Sequence, residues 1–210
     1  MELCLNMNFR PSSQLDATAE LALIERCRKQ DAEAFTRIVD AYQHRLFGFV
    51  RRMVPDPEEA ADLAQETFVR AFQSISRFDG RSSVRTWLFR IAYNLCVDRS
   101  RRAGRAPAEM RLDAFFEDEE GMDLPDARWD PQGVVMDEEL RSTLERAIAA
   151  MSEKLRSVLL LHDREDMSYE EIARALGIPI GTVKSRLFLA RAFLQRALTP
   201  YLLGEVRSHE

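Results

Sequence analysis

Cysteine is scarce in this chain: Cys4, Cys27 and Cys96 are the only three in 210 residues. Their odd number and wide spacing exclude a disulfide framework, and no C-x-x-C pair is present to hold zinc. The three histidines, His44, His162 and His209, are scattered, so no metal is expected. A reducing cytoplasm is the expected location, with Cys27 and Cys96 as small buried hydrophobes. Long hydrophobic runs are also missing. The longest aliphatic stretch is Val158 to Leu161, far short of the ~20 residues that span a bilayer. The opening MELCLNMNFRPSSQ has no basic segment followed by an apolar run, so no signal peptide is expected. There is no P-loop, no G-x-G-x-x-G and no H-E-x-x-H. His162 to Glu165 offers H-x-x-E without further ligands and is expected to be plain helix surface. Neither an enzyme nor a bound cofactor is expected.

What the chain does have is charge, unevenly placed. A net charge of −5 and a pI near 5.4 exclude a protein that coats nucleic acid by bulk charge. Local charge is another matter. From Ala106 to Leu140, twelve carboxylates face only Arg111 and Arg128, a local net of −10, and Pro107, Pro125, Pro131, Gly121 and Gly133 interrupt any helix. This reads as an acidic, extended linker. Its Phe115, Phe116 and Trp129 are unusual for a plain tether and suggest that it docks somewhere. From Arg77 to Arg102, by contrast, there are seven arginines and two aspartates, interleaved with Phe78, Trp87, Phe89 and Tyr93. From Gly177 to Gly204 there is no acidic residue, while Lys184, Arg186, Arg191 and Arg196 are present.

Between these stretches the pattern is helical. Leu21, Ile24 and Cys27 step by three along a first short helix. Asp31 is placed to cap a second, whose apolar face is Phe35, Ile38, Val39, Tyr42, Leu46, Phe49 and Val50. Asp56 and Pro57 start a third with Leu63, Ala64, Thr67, Phe68, Ala71, Phe72 and Ile75 inward. Asp79 and Gly80 mark a turn, and Ser83 caps a fourth helix whose inner residues are Val84, Trp87, Leu88, Ile91, Ala92 and Leu95. After the linker, two amphipathic helices precede MSYEEIARALGIPIGTVKSRLFLARAFL. There Ser168 and Glu171 form a capping box, Gly177 ends a helix, Pro179 sits in the turn and Thr182 caps the next. This is the helix-turn-helix pattern. The expected architecture is all-α: a leader at 1–16, a helical domain at 17–103, the acidic linker at 104–137, a helix-turn-helix domain at 138–200 and a tail at 201–210.

Three surfaces carry chemistry. The helix after Pro179 offers Thr182, Lys184, Ser185 and Phe188 to base edges in a major groove, with Val183, Leu187, Ala190 and Leu194 facing inward. The 77–102 stretch suits single-stranded nucleic acid, because bases stack on rings while arginines follow phosphates. Helical phase assigns Trp87 largely to the core and puts Arg85, Arg90, Tyr93 and Asn94 outside, where Asn94 can pair with the edge of a flipped base. Asp62, Gln65, Glu66 and Arg70 line the polar side of the third helix around an outward Val69, a pattern that fits protein docking.

DLAQETFVRAF (62–72), RFDGRSSVRTWLFRIAYNLCVDRSRR (77–102) and the helix-turn-helix stretch (167–194) occur in that order, and together the chain resembles the compact extracytoplasmic-function sigma factors of the sigma-70 family. The resemblance covers residues 20–103 and 138–198. It implies that Asp62, Gln65, Glu66, Val69 and Arg70 bind the β′ clamp helices of core RNA polymerase. It implies that the loop 77–83 and the following helix recognise and melt the promoter −10 element, which adds Phe78, Ser82, Ser83, Thr86, Arg99 and Arg101 to Arg85, Arg90, Tyr93 and Asn94. It further implies −35 duplex contacts through Thr182, Lys184, Ser185, Arg186, Phe188 and Arg191, a β-flap contact, a linker threaded through the polymerase, and an anti-sigma partner. Leu189 departs from the family, whose members often carry a basic residue there. A stand-alone helix-turn-helix regulator is the main alternative, but no βαβ sensory pattern precedes residue 140.

Overall fold

The structure is a computed structural model that describes residues 17–104 and 138–202. The expected leader, nearly all of the linker with Phe115, Phe116 and Trp129, and the last eight residues lie outside the described residues. Eight α-helices make up the described chain, and no strand occurs among these residues: α1 (Ala17–Arg28), α2 (Ala32–Met53), α3 (Pro57–Ser74), α4 (Val84–Arg102), α5 (Glu138–Ala150), α6 (Glu153–Leu159), α7 (Tyr169–Leu176) and α8 (Ile180–Leu202).

Capping side chains set most of the helix starts. The Asp31 carboxylate accepts from Ala34 N, and Asp56 accepts from Glu58 N at 2.9 Å with Pro57 at the first helical position. Ser83 accepts from Thr86 N, while Glu20 of α1 reaches across to accept from Val84 N at 2.7 Å. The N-cap Ser83 and one side chain of α1 therefore fix the start of α4, the helix that carries the arginine-rich stretch.

The N-terminal core joins α1, α2, α3 and α4. Phe35 meets Phe72 edge-on at 5.0 Å between ring centres, and Phe49 meets Phe89 in the same way at 5.3 Å. Two expectations are corrected here. Leu21 is 61% exposed, and Leu23 takes its place beside Ile24 and Cys27, which are buried as expected. A three-residue step falls about 60° short of a full turn, so a run of such steps drifts off the inner face. Phe89 is fully buried and Trp87 only partly. The inner face of α4 is wider than a single stripe because α3 and α2 cover one flank and α7 covers the other.

In the C-terminal part, α8 packs on α5, α6 and α7 through Val183, Leu187, Ala190 and Leu194. The Ser168–Glu171 capping box is formed in both directions, and Gly177 ends α7 at φ 67°. That left-handed conformation suits glycine. Thr182 is not the cap of α8. The helix starts two residues earlier, at Ile180, because the Pro179 carbonyl already accepts from Val183 N at 3.1 Å. Between α6 and α7 the chain makes a π turn, Leu160–Arg164, closed by Glu165 N to Leu160 O at 3.2 Å. Asp166 follows in a left-handed conformation at φ 50°.

Candidate nucleic-acid and polymerase interface

The outer side of α4 divides into two zones. Arg90, Asn94, Arg99 and Arg101 are exposed, with Arg99 paired to Glu59 of α3. Ser82 and Ser83 are half-buried at the entry to the helix. Phe78 is buried, tilted against Trp87 at 4.9 Å between ring centres, and its carbonyl accepts from Arg28. It therefore anchors the loop 77–83, and its ring is not on the surface.

The remaining α4 candidates face the C-terminal half of the chain. Arg85 donates to Glu165 O at 3.0 Å and to the Glu171 carboxylate at 2.8 Å. Thr86 is only 2% exposed, and its hydroxyl lies 3.4 Å from the same Glu171 oxygen. Tyr93 sits among Glu153, Ser157 and Arg186, and burial pushes its phenol above the ordinary range. Beside them, Arg45 of α2 holds Glu165 through Nε at 2.7 Å and through Nη2 to the Glu165 carbonyl at 3.1 Å. Both side chains of that pair are less than a tenth exposed (9% and 7%). Burial raises the Glu165 carboxyl above the usual carboxylate range, against the opposing pull of Arg45. Glu171 is also pushed up by burial, but hydrogen bonds from Arg85 and Ser168 outweigh this and hold it below its ordinary value. Removing one partner of such a buried pair strands a charge, at about 3–5 kcal/mol.

The helix-turn-helix presents Lys184 and Ser185 outward at the start of α8, with Thr182, Arg186 and Phe188 half-exposed. Lys184 lies over the Tyr169 ring at 5.9 Å, and Tyr169 stacks on His162. Arg191 is engaged by Asp163, whose side chain is 1% exposed, at 2.9 Å. The π turn thus serves two sides, sending Asp163 to α8 and Glu165 to α2. The expectation of plain helix surface at His162–Glu165 is corrected: Asp163 and Glu165 are enclosed and paired. Leu189 packs partly buried against the core.

On the far side of the N-terminal domain, α3 exposes Asp62, Gln65, Val69 and Arg70, with Glu66 half-exposed. Glu66 accepts from Arg70 at 2.7 Å, an (i, i+4) pair flanking Val69, which is 43% exposed. Among the described residues, no group of three or more His, Cys, Asp or Glu side chains is placed to hold a metal ion, and no helix is long and apolar enough to cross a membrane.

Residues 38–106 match the Sigma-70 region 2 family, and residues 141–194 match the Sigma-70, region 4 family. The RNA polymerase sigma-H factor of Pseudomonas aeruginosa is 36% identical over 184 residues, covering 86% of this chain and 94% of that protein. The chain belongs to the sigma-70 family. It is an RNA polymerase sigma factor of the extracytoplasmic-function type. The ECF RNA polymerase sigma-E factor of Escherichia coli K12 is likewise 36% identical, over 182 residues with the same coverage. Two solved structures share the arrangement of helices at a TM-score of 0.60 and 26% identity. One is CnrH in complex with the cytosolic domain of CnrY, covering 86% of this sigma factor and 97% of that chain. The other is RpoE in complex with the anti-sigma factor NepR from Bartonella quintana, covering 80% and 98%. Region 2 thus comprises most of α2, with α3 and α4, and region 4 spans α5 to α8 up to Phe193 and Leu194.

Proposed function

We propose that this sigma factor divides promoter recognition between the exposed face of α4 and the first turns of α8. In this reading, core RNA polymerase binds α3 through its β′ clamp helices, with Val69 as the apolar centre of a polar patch formed by Asp62, Gln65, Glu66 and Arg70. The β flap takes the C-terminal domain. Asn94, with Arg90 and Arg101, holds the unpaired strand of the −10 element, because an amide at the edge of an arginine-rich helix can pair with a base only once that base leaves the duplex. Lys184 and Ser185 read the −35 duplex from the N-terminal turns of α8, where backbone N–H groups and positive charge meet phosphate. The observation that carries the reading is the exposure of Asn94 and Arg90 on a helix whose other flanks are enclosed. An anti-sigma protein is the expected regulator, as for the relative RpoE, crystallised with the anti-sigma factor NepR. The alternative of a stand-alone regulator leaves the exposed face of α4 without a use.

The test is site-specific photocrosslinking in holoenzyme. A photoreactive residue at Asn94 is expected to crosslink the non-template strand at −10, and one at Lys184 the duplex at −35. Crosslinks from both positions to the same duplex element would overturn the division.

A further inference from the structure

The arginine-rich stretch from Arg77 to Arg102 holds two aspartates, and they differ in what they do. Asp79 is engaged inside its own turn: it accepts from Arg81 N at 3.0 Å and pairs with the Arg81 guanidinium at 3.2 Å. Asp98 is exposed on α4, and among the described residues its carboxylate has no partner. Arg101 and Arg102 follow it at spacings that allow helical ion pairs, yet neither is paired with it. Arg99 is turned to Glu59 of α3. At about 100° per residue, Arg90, Asn94, Asp98 and Arg101 share an arc of about 80° on the helix, and all four are exposed. We propose that Asp98 is a further specificity-determining residue of the −10 face: its carboxylate accepts the paired N–H groups of an unpaired guanine next to the base held by Asn94. The inference rests on the −10 assignment given above.

The chemistry of a carboxylate selects the base. It accepts hydrogen bonds only, and it has two oxygens to accept with. A strand that has left the duplex exposes the Watson–Crick edges of its bases. Guanine carries two adjacent donors there, N1–H and the N2 amino group, which match the two carboxylate oxygens. Adenine and cytosine offer one amino group beside an acceptor, and thymine one N–H between two carbonyls. Each of these three sets a lone pair against the carboxylate. A bidentate, charge-assisted pair is also the stronger kind of hydrogen bonding. In the duplex both guanine donors belong to cytosine, so this contact forms only once the strand is open. Asp98 follows Asn94 by one turn, about 6 Å along the helix. That is the reach to a neighbouring base, spaced by about 3.4 Å when stacked and by more when unstacked. The charges also orient the strand. Phosphate is drawn to Arg90, Arg101 and Arg102 and repelled by Asp98, so the backbone runs over the arginines and the base edge turns to the carboxylate.

The fold itself makes no use of this side chain. Asp98 does not cap α4, which is capped by Ser83 at its start and Ala103 at its end. It lies near the C-terminal end of the helix, where a negative charge opposes the helix dipole. Aspartate is also a weak helix former away from the caps. An unpaired carboxylate on an arginine-rich face lowers the affinity of that face for any phosphate chain. Specificity is a difference between affinities, and a group that weakens binding to every strand while favouring one base supplies such a difference.

The experiment uses holoenzyme assembled from core polymerase and the full chain. The probe is a pool of fork-shaped promoter fragments whose non-template strand is single-stranded and randomised across −10. Selection and sequencing with the unaltered chain are expected to enrich guanine at one position, adjacent to the position whose preference changes in Asn94→Ala. Asp98→Asn is expected to cut that guanine preference about tenfold, as for one lost bidentate contact, and to leave the other positions unchanged. Its average affinity for the pool is expected to stay level or rise, and its melting temperature to be no lower than that of the unaltered chain. A second measurement resolves the contact to one atom group. Inosine lacks only the N2 amino group of guanine, so inosine at the enriched position is expected to weaken binding by the unaltered holoenzyme and to make no difference to Asp98→Ala. The proposal is overturned by no guanine enrichment in the unaltered chain, by an equal guanine preference in Asp98→Asn, or by an inosine penalty that persists in Asp98→Ala. Each of these results counts against Asp98 alone, provided that a photoreactive residue at position 94 still crosslinks the non-template strand. Loss of that crosslink would instead overturn the −10 assignment.

Discussion

Arg85 Nη2 lies 2.8 Å from the Glu171 Oε1 atom, which joins the first turn of α4 to the first turn of α7. One carboxylate thus completes the capping box that starts the helix-turn-helix and also neutralises an arginine on α4 of region 2. Regions 2 and 4 of this sigma factor meet at a shared side chain.

That double role predicts a pH-dependent effect of Glu171→Gln. Glutamine keeps the capping box but loses the charge. The Glu171 carboxyl is held below its ordinary 4.5 in the fold, with burial opposing and the Arg85 and Ser168 hydrogen bonds prevailing. Its contribution is therefore present above the unfolded value and is lost as pH falls through the folded one. Thermal unfolding at neutral pH is expected to show Glu171→Gln less stable by about 1–2 kcal/mol, with the gap closing as pH is lowered below 4.5. Glu165, raised by burial, acts in the opposite direction, so the comparison of variant with unaltered chain isolates Glu171. A gap independent of pH would contradict this.

Asn94→Ala and Lys184→Ala should separate the two halves of promoter recognition. With core polymerase, Asn94→Ala is expected to reduce permanganate-reactive open complexes by about tenfold while leaving −35 duplex binding intact, the loss of one paired contact of about 1–3 kcal/mol. Lys184→Ala is expected to weaken −35 binding and to reduce the salt dependence by about one phosphate contact. Footprinting over a salt series distinguishes these results.

How much of this was legible in the sequence depended on range. Local chemistry was legible: Asp31, Asp56, Ser83 and the Ser168–Glu171 box all cap helices, and Gly177 ends one. Each of those signals spans only a few residues. The start of α8 was misplaced because a carbonyl, common to every residue type, does the work expected of the Thr182 side chain. The π turn left no residue signature, so Glu165 looked like helix surface. Partners such as Arg45 for Glu165 lie 120 residues away, and charge alone does not reveal which of many arginines it meets. Phe89 was hidden for the same reason, since its burial follows from covering both flanks of α4.

Val69 tests the polymerase face. Its side chain is exposed in the free chain, so Val69→Glu removes no core packing. The variant is expected to keep the helicity and melting temperature of the unaltered protein. Its affinity for core polymerase is expected to fall about tenfold or more, as for truncation of an apolar anchor inside a polar rim. Fluorescence anisotropy with labelled protein measures it. Unchanged affinity would move the clamp-binding face off this side of α3.

The buried cysteines Cys27 and Cys96 report on the integrity of the N-terminal helices. Burial pushes the Cys96 thiol up to about 12, with Glu153 adding to the rise, and burial raises Cys27 as well. At pH 8 almost no thiolate is present at Cys96, and solvent does not reach it. Alkylation with iodoacetamide is expected to spare Cys27 and Cys96 in the folded chain and to modify both in denaturant, as read by peptide mass spectrometry. Rapid native labelling of Cys96 would show that α4 is not packed as described.

The central claim is that this chain acts as the promoter-specifying subunit of RNA polymerase. Run-off transcription from a promoter library, with purified core polymerase and this protein as the sole added factor, tests it most directly. The account predicts initiation from a defined subset of promoters sharing one −10 and one −35 sequence, with open complexes that weaken as salt rises, and only weak promoter binding by the protein alone. Transcription no different from that of core polymerase alone, or tight specific promoter binding without polymerase, would contradict it.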